Sequence, residues 1–249
     1  MDSVTDHRVL REKEFHEKRF SEFDHRESQK KYYWAVWDGA EKYLQTVRQL
    51  AAGMSVLEYG CGDTDVWKQV GPNAKTYVGI DISGAAVSRL EGECDLINTS
   101  FHVMDAHKMT FEDESFDLIF GSGIIHHLET EKAAREIARV LRPGGKAIFW
   151  EPLGGNPLIN AYRFFTPDAR TEDEHPLMAR DYSVLRKEIG DMSLSFFGLF
   201  TLLSVPLPDS VIRTSAFHAF RKIDELLSSI PGVRYLSWYC LSTFTKQKI

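Results

Sequence analysis

Short apolar segments alternate with helix-like segments between residues 55 and 151. The helix-like segments lie at about 65–71, 84–91 and 129–141, and the last one ends at the stop signal RPGG. The strand-like segments are SVLEYG (55–60), TYVGID (76–81), SFHVMD (100–105), FDLIFG (116–121) and KAIFWE (146–151). Such alternation is typical of βαβ units, whose right-handed crossovers place helices on both faces of a parallel sheet. The sequence therefore predicts an α/β fold with a doubly wound, mostly parallel sheet.

The segments on either side of this alternation have other patterns. Residues 1–50 are charged and aromatic and nearly free of glycine and proline, which indicates one or two helices that form either a lid or a packing layer. Residues 152–183 are rich in proline, glycine, arginine and acidic residues and predict a long loop, which is often functional. Beyond it, 193–205 and 233–246 are predicted strands, with a helix at 215–230 between them. The sequence shows no repeat or linker, so we expect one domain.

Composition limits the class of protein. The chain has 249 residues, a formal net charge of −6 and three cysteines. A mildly acidic chain is a poor partner for a phosphate backbone, which disfavours nucleic acid as a substrate. The cysteines are odd in number and lack metal-site spacing, which favours a reducing, cytoplasmic location over a disulfide framework. The longest apolar run, 194–207, is interrupted by polar residues and is too short for a membrane span of about 20 residues. We therefore expect a cytoplasmic protein without an integral membrane span.

The stretch VLEYGCGDT places Gly60 and Gly62 at the end of the first predicted strand. In an open parallel sheet, ligands bind at the carboxyl ends of the strands, and glycine lets the backbone approach a ligand closely. Asp81 ends the next strand and can accept hydrogen bonds from the hydroxyls of a ribose. A dinucleotide-binding turn would have a third glycine where this chain has Asp65, whose charge would repel a pyrophosphate. These residues favour a nucleoside cofactor with an amino acid end, whose ammonium Glu58 would help to hold.

Four motifs in order resemble those of class I S-adenosylmethionine-dependent methyltransferases. They are VLEYGCGDT, YVGIDIS, FHVMDAHKMTFEDESFDLIFGSGIIHHLE and VLRPGGKAIFWEP, and the resemblance covers roughly residues 54–152. It implies a Rossmann-like, seven-stranded sheet with an antiparallel last strand, which 233–246 would supply. It also implies S-adenosyl-L-methionine as the cofactor. The single domain, 1–249, would then comprise N-terminal helices (1–50), a cofactor-binding core (51–151) and an acceptor-recognition part (152–249).

The resemblance implies roles at the methionine end of the cofactor. Glu58, Gly60 and Gly62 match the first motif and would line the methionine half. Gly121 ends the fourth predicted strand, where the methionine part passes. One position departs from the family pattern, because the usual third glycine of the first motif falls on Thr64.

The resemblance also implies roles at the adenosine end. Asp81 matches the acid that binds the ribose, and Ile82 after it would pack on the adenine. Asp105 matches the acid that binds the adenine amino group, with Ala106 offering its backbone to the same base. Together these positions predict a complete adenosine site.

Three residues near strand ends are candidates for catalysis. His126 and His127 follow the fourth predicted strand, and histidine suits proton transfer near neutral pH. Glu151 ends the fifth predicted strand, in a position that faces the acceptor side in similar enzymes. His107, which is equally compatible with a surface position, and His175 in the long loop are further possibilities. We expect only one of the adjacent histidines to face the ligand.

The acceptor is less constrained than the cofactor. Arg163, Arg170 and Arg180 would clamp an anionic group or, as we favour, pair with nearby acids. No compact metal-binding cluster is evident, so we expect no metal. A small-molecule acceptor with a hydroxyl group is predicted, while nitrogen or carbon acceptors and a protein acceptor remain alternatives. An NAD-type oxidoreductase and a non-catalytic cofactor-binding module are more remote.

Overall fold

The computed structural model describes residues 3–21, 30–166, 171 and 173–248. Seven strands form one sheet in the order β3-β2-β1-β4-β5-β7-β6. The strands are β1 (Ser55–Tyr59), β2 (Thr76–Asp81), β3 (Thr99–Val103), β4 (Phe116–Ser122), β5 (Leu141–Pro152), β6 (Asp191–Phe197) and β7 (Tyr239–Thr245). The first five strands pair in parallel, whereas β7 is antiparallel to both β5 and β6. The predicted Rossmann-like sheet with an antiparallel last strand is confirmed.

Nine α-helices surround the sheet in the described residues. They are α1 (Ser3–Ser21), α2 (Lys30–Tyr33), α3 (Trp37–Ala51), α4 (Val66–Val70), α5 (Gly84–Glu93), α6 (Thr130–Val140), α7 (Pro157–Phe165), α8 (Ala179–Ile189) and α9 (Val211–Leu227). Short 3₁₀ segments occur at Trp34–Val36, Gly71–Asn73, Ile125–His127, Thr201–Ser204 and Val233–Leu236. Within the described part of the chain, no helix has the length and apolar character needed to cross a membrane.

The core lies on both faces of the sheet. Successive side chains of a strand point to opposite faces, so adjacent residues of β1 join different apolar clusters. Leu57 packs with α6, where Ile137 is fully buried, and Val56 packs on the opposite face with Val47 of α3. All five residues of β1 are buried. This two-sided burial explains why the predicted strands are almost continuously apolar.

The predicted loop at 152–183 is wrong in part, because α7 and the beginning of α8 lie within it. The helix α7 begins where the Asn156 side chain accepts hydrogen bonds from the backbone N–H groups of Leu158 and Ile159, with Pro157 in the first turn. Asparagine followed by proline is a helix-start signal that the richness in turn-forming residues obscured.

Two predicted strands also begin or end elsewhere. The strand predicted at 193–205 ends at Phe197, because Gly198 turns the chain with a φ of +80° and a Cβ at this position would collide with Val36. The strand predicted at 233–246 begins only at Tyr239, after a 3₁₀ segment that follows Gly232. This segment places Trp238 and Tyr239 at the edge of the sheet where the parallel strands end.

Candidate active site

A cavity of about 920 Å³ lies at the carboxyl ends of the parallel strands. Its volume is in the range of sites for small molecules and cofactors. One part, the strand-end half, is formed by Gly60, Gly62, Asp81, Ile82, Asp105 and Ala106. The other part, the aromatic half, is formed by Tyr32, Tyr33, Trp150, Tyr162, Trp238 and Tyr239. Residues that follow β4 lie between the two halves, because β4 separates β1 from β5 in the sheet.

The strand-end half is held together through Asp81. Its Oδ2 accepts a hydrogen bond of 2.8 Å from the N–H of Gly62, and its Oδ1 accepts one of 2.9 Å from the N–H of Ser83. Gly62 has a φ of +50° and Gly60 has a φ of +76°, a conformation that favours glycine. A Cβ at Gly60 would also lie 2.7 Å from Ile124. Each carboxylate oxygen of Asp81 retains a lone pair, so the acid can bind the turn and a ribose together.

Asp105 and His107 form a second fixed pair in the strand-end half. Oδ1 of Asp105 accepts hydrogen bonds from the backbone N–H of His107 and from its Nδ1, at 2.8 and 2.9 Å. Nε2 of His107 accepts the N–H of Glu129, which assigns the ring proton to Nδ1. Burial alone would raise the pKa of Asp105, but the hydrogen bonds from His107 outweigh it and hold the pKa below its usual value. Oδ2 of the ionised carboxylate is available to an adenine amino group.

Six of the eight predicted cofactor-binding residues line the cavity. They are Gly60, Gly62, Asp81, Ile82, Asp105 and Ala106. Their glycine backbone, paired acids and cavity volume fit the two ends of S-adenosylmethionine: a ribose and adenine on the acids, and the amino acid part at the glycines.

Glu58 and Gly121 lie behind the cavity wall, which corrects the expectation that they line it. Glu58 is 4% exposed and accepts hydrogen bonds from the hydroxyls of Tyr77 and Thr64. Burial raises the pKa of Glu58 to about 8. Thr64, in the position of the missing third glycine, lines the cavity and connects it to this acid. At Gly121, an added Cβ would lie 2.5 Å from the carbonyl oxygen of Tyr59, so this glycine permits close strand packing.

The predicted catalytic residues His126 and Glu151 form a buried pair. Nδ1 of His126 lies 2.7 Å from Oε2 of Glu151, and Oε1 accepts the N–H groups of Ile124 and Ile125, both at 2.9 Å. Glu151 is fully buried and does not line the cavity, which corrects the expectation that it faces the acceptor. His126 does line it. Glu151 therefore reaches the cavity only through its contact with His126.

Burial sets the protonation of this pair. It lowers the pKa of His126 to about 3, so the imidazole is neutral at pH 7. It raises the pKa of Glu151 to about 7, against the lowering effect of the Ile125 and Ile124 N–H groups. With Nδ1 donating to the carboxylate, the lone pair of His126 resides on Nε2, which lies 3.8 Å from Oε1 of Glu174. Nε2 is therefore unprotonated at pH 7. Burial opposes the imidazolium that forms when Nε2 takes a proton, whereas the Glu151 carboxylate at 2.7 Å favours it.

His127 also lines the cavity, which corrects the expectation that only one of the adjacent histidines would do so. Its Nδ1 lies 3.1 Å from Oε2 of Glu12, on helix α1. Nε2 of His16, one turn further along α1, lies 3.5 Å from the same oxygen. Helix α1, the lid, therefore lies over the cavity, whereas α3 of the same N-terminal segment packs in the core. The lid is also tied to the strand-end half, since Ser83 Oγ donates to Glu17 at 2.7 Å.

The aromatic half consists of stacked rings. Tyr33 stacks on Trp238 with ring centroids 5.4 Å apart, and Trp150 stacks on Tyr239 with centroids 4.7 Å apart. Sequence reasoning did not select these residues. Their aromatic character was visible in the sequence, but positions so far apart gave no signal that they meet.

The remaining candidates have structural contacts. Arg163 lines the cavity and donates to the carbonyl oxygen of Leu153 and to Asn160. The side chain of Arg180 is 82% exposed and is not part of the cavity, and Arg170 lies outside the described residues. His175 donates its backbone N–H to the carbonyl of His126. Of the two described arginines among these candidates, Arg163 and Arg180, Arg163 lines the cavity.

Comparisons with known proteins agree with this geometry. Residues 57–149 match the family model described as a methyltransferase domain. Methyltransferase GfsG of Streptomyces halstedii is 37% identical over 107 residues, which are 39% of this chain and 37% of that protein. Probable tRNA methyltransferase 9B of Homo sapiens is 33% identical over 121 residues, 46% of this chain and 24% of that protein. The match thus spans about a quarter to two fifths of the length of these relatives.

Solved structures show the same fold. N-methyltransferase NodS from Bradyrhizobium japonicum, in complex with S-adenosyl-L-homocysteine, superimposes with a TM-score of 0.58 and 15% identity. The superposition covers 94% of this chain and 97% of that one. Residues 57–149 thus match a methyltransferase domain, and the chain shares its fold with a methyltransferase solved with S-adenosyl-L-homocysteine.

Proposed function

We propose that this protein transfers the methyl group of S-adenosylmethionine to a hydroxyl group of a small, largely apolar acceptor. The observation that carries the proposal is the buried His126–Glu151 pair, whose histidine lines the cavity between its two halves. A hydroxyl is a weak nucleophile until its proton is removed, and an oriented neutral histidine serves that purpose. The cofactor supplies a methyl group that is already activated by its sulfonium.

Each half of the cavity has its own part in the reaction. In the strand-end half, Asp81 and Asp105 hold the adenosine, and the turn at Gly60 and Gly62 gives room to the amino acid part. In the aromatic half, the acceptor binds against stacked rings such as Tyr33 and supplies its hydroxyl to His126. Holding two reactants in line contributes on the order of 7–11 kcal/mol in the best model systems.

His126 is the proton acceptor in this proposal. The Glu151 carboxylate fixes the imidazole so that Nδ1 carries the ring proton and Nε2 receives the proton of the acceptor. Glu151 is itself fixed by the two N–H groups of Ile124 and Ile125. A general base of this kind accelerates a transfer by about 10²- to 10⁴-fold. Helix α1 covers the cavity and excludes water from the reacting groups.

N-methylation of an amine is the second candidate. Aromatic faces attract cations, and the aromatic half presents several to the cavity. An amine that is deprotonated on binding needs less help from a base. Transfer to a tRNA, as the name of one relative suggests for that protein, is disfavoured by the net charge of −6.

The test is a transfer assay with the purified chain, labelled S-adenosylmethionine and a panel of phenols, aliphatic alcohols, amines and tRNA. We expect label in a phenol or alcohol, with the methylated atom identified by mass spectrometry. His126→Gln should lower kcat by at least 10²-fold while leaving affinity for S-adenosylhomocysteine unchanged. An amine product would select the second candidate, and a labelled tRNA would contradict both.

A further inference from the structure

Three side chains at the lid side of the cavity bring donor atoms together without a use in the reaction described above. They are Glu12 and His16 of α1 and His127 of the 3₁₀ segment after β4. One ligand atom from each lies within 4.8 Å of the other two. All three residues line the cavity. No sequence pattern predicts this cluster, because His127 lies more than 100 positions from Glu12 and His16.

Two donor atoms of the cluster are buried and face each other. Glu12 is 6% exposed and His127 is 8% exposed. Oε2 of Glu12 and Nδ1 of His127 lie 3.1 Å apart, within the distance of an ion pair but outside the geometry of a full hydrogen bond. Oε2 also lies 3.5 Å from Nε2 of His16, so one carboxylate oxygen and two imidazole nitrogens converge on one point of the cavity wall.

We propose that Glu12, His16 and His127 bind one divalent transition-metal ion at the wall of the cavity. Ligand atoms held about 2.0–2.1 Å from such an ion lie roughly 2.9–3.4 Å from each other. The observed separations from Glu12 Oε2 are 3.1 Å to His127 Nδ1 and 3.5 Å to His16 Nε2. Only small adjustments of the side chains would bring the three atoms to a shared ion.

The donor set defines the kind of metal. Two imidazoles and one carboxylate suit Zn²⁺ or Fe²⁺, whereas Mg²⁺ and Ca²⁺ prefer sites made of oxygen alone. The single carboxylate leaves a net charge of +1 with a divalent ion, and the three ligands leave positions open on the cavity side. Open positions are typical of metal sites that contact a substrate.

The local fold pre-orients these ligands. Glu12 and His16 are four positions apart on α1, and side chains at this spacing share one face of a helix. Oε1 of Glu12 accepts the hydroxyl of Thr171, which fixes the carboxylate and turns Oε2 towards the histidines. Metal ligands are commonly held by such outer hydrogen bonds. A bound ion would therefore also tie the lid to the segment after β4.

A role in catalysis rests on the proposed function. The ion would polarise the acceptor hydroxyl and lower its pKa, next to the histidine that takes the proton. Binding of the metal itself does not depend on that function. The two proposals can therefore fail separately.

The test measures metal binding directly on the full chain without a histidine tag. Protein stripped with a chelator and dialysed is titrated with Zn²⁺ by calorimetry and with Co²⁺ by visible absorption. Glu12→Gln retains an acceptor for Thr171 but loses the charge, and His16→Gln removes one imidazole. Glu14→Gln and His7→Gln are matched controls, because both residues are exposed on the same helix.

We expect one equivalent of metal in the wild-type chain and in both controls. Affinity should fall by about 10²-fold or more in Glu12→Gln and in His16→Gln, with thermal midpoints and S-adenosylhomocysteine affinity retained. Absence of stoichiometric binding by the wild-type chain would overturn the inference and leave a simple carboxylate–imidazole contact. Equal binding by wild type and both cluster variants would also overturn it. Methyl transfer by metal-free protein would overturn the catalytic role of the ion and leave the proposed function in place.

Discussion

The two halves of the cavity are built in different ways. The strand-end half comes from consecutive residues at the ends of β1, β2 and β3, and backbone groups hold its acids: Gly62 and Ser83 bind Asp81. The aromatic half is assembled from α2, α7, the end of β5 and the start of β7, and ring stacking holds it. A half held by backbone hydrogen bonds has little freedom to change its ligand. A half held by packing tolerates substitution, because aromatic contacts are individually weak.

The largest loss of activity is expected from the buried residue that orients His126 between the two halves of the cavity. In Glu151→Gln, the amide oxygen can keep the N–H groups of Ile124 and Ile125, but the amide NH2 then faces Nδ1 of His126 and shifts the ring proton to Nε2. We expect kcat to fall by about 10²- to 10⁴-fold, with S-adenosylhomocysteine affinity unchanged. Steady-state kinetics with the best acceptor measures kcat, and calorimetry measures the affinity for S-adenosylhomocysteine. Glu112→Gln, at an exposed position, is the control. A parallel loss of cofactor affinity would show that Glu151 supports the fold rather than the base.

The strand-end half is tested by Asp81→Ala. The change removes the acceptor of the Gly62 and Ser83 N–H groups and the partner of a ribose. Hydrogen bonds to a charged group are worth about 1.5–3 kcal/mol each, so we expect affinity for S-adenosylhomocysteine to fall by about 10²- to 10³-fold in calorimetry. Asp95→Ala, at an exposed carboxylate, should bind as the wild type does. Undiminished binding by the Asp81 variant would remove this acid from the site.

Glu58, which is buried behind the strand-end half, makes the free energy of unfolding depend on pH. The pKa of Glu58 is raised to about 8 by burial, against about 4.3 in an unfolded chain. Its contribution to stability is therefore complete below about pH 4 and is lost as the pH rises through 8. Between pH 6 and 8 we expect a loss of about 2–3 kcal/mol in the free energy of unfolding. Thermal melts should show this slope in the wild type and in Glu91→Gln, an exposed control, and a shallower one in Glu58→Gln, where Glu151 with its pKa raised to about 7 still contributes. A slope in Glu58→Gln as steep as that of the wild type would assign the dependence to another group.

The smallest effect is expected in the aromatic half. Tyr33→Ala removes one ring from the stack on Trp238, a contact worth about 0.5–1.5 kcal/mol beyond its buried area. The KM for an apolar acceptor should rise by about 2- to 10-fold, with kcat and cofactor affinity little changed. Tyr33→Phe retains the ring and should behave as the wild type. If Tyr33→Ala weakened cofactor binding instead, the division of the cavity into two halves would be wrong.

The same contrast explains how much of the molecule could be predicted from sequence. The five parallel strands and the strand-end residues Gly60, Asp81 and Asp105 follow from local patterns, because each lies at the end of its own apolar segment. Glu58 was expected to line the cavity at the end of β1, whereas its side chain is buried behind the cavity wall. The sequence of a strand end does not reveal which way a side chain points.

The rest depended on contacts between distant segments. Glu12 meets His127, and Tyr33 meets Trp238, across separations that give no periodicity to detect. The helix α7 was missed because the prolines and glycines around it resembled a loop, although Asn156 marks its beginning. Sequence patterns thus predicted the residues of the strand-end half, while packing between distant segments forms the aromatic half.

The direction of β7 has a consequence for how this fold can diversify. Because β7 is antiparallel to β5, Tyr239 at its beginning pairs with Pro152 at the end of β5. The parallel strands contribute their last residues to the cavity, whereas β7 contributes its first. A change in the chain just before β7 therefore alters the aromatic half at Trp238, while the residues at the ends of β1, β2 and β3 stay in place.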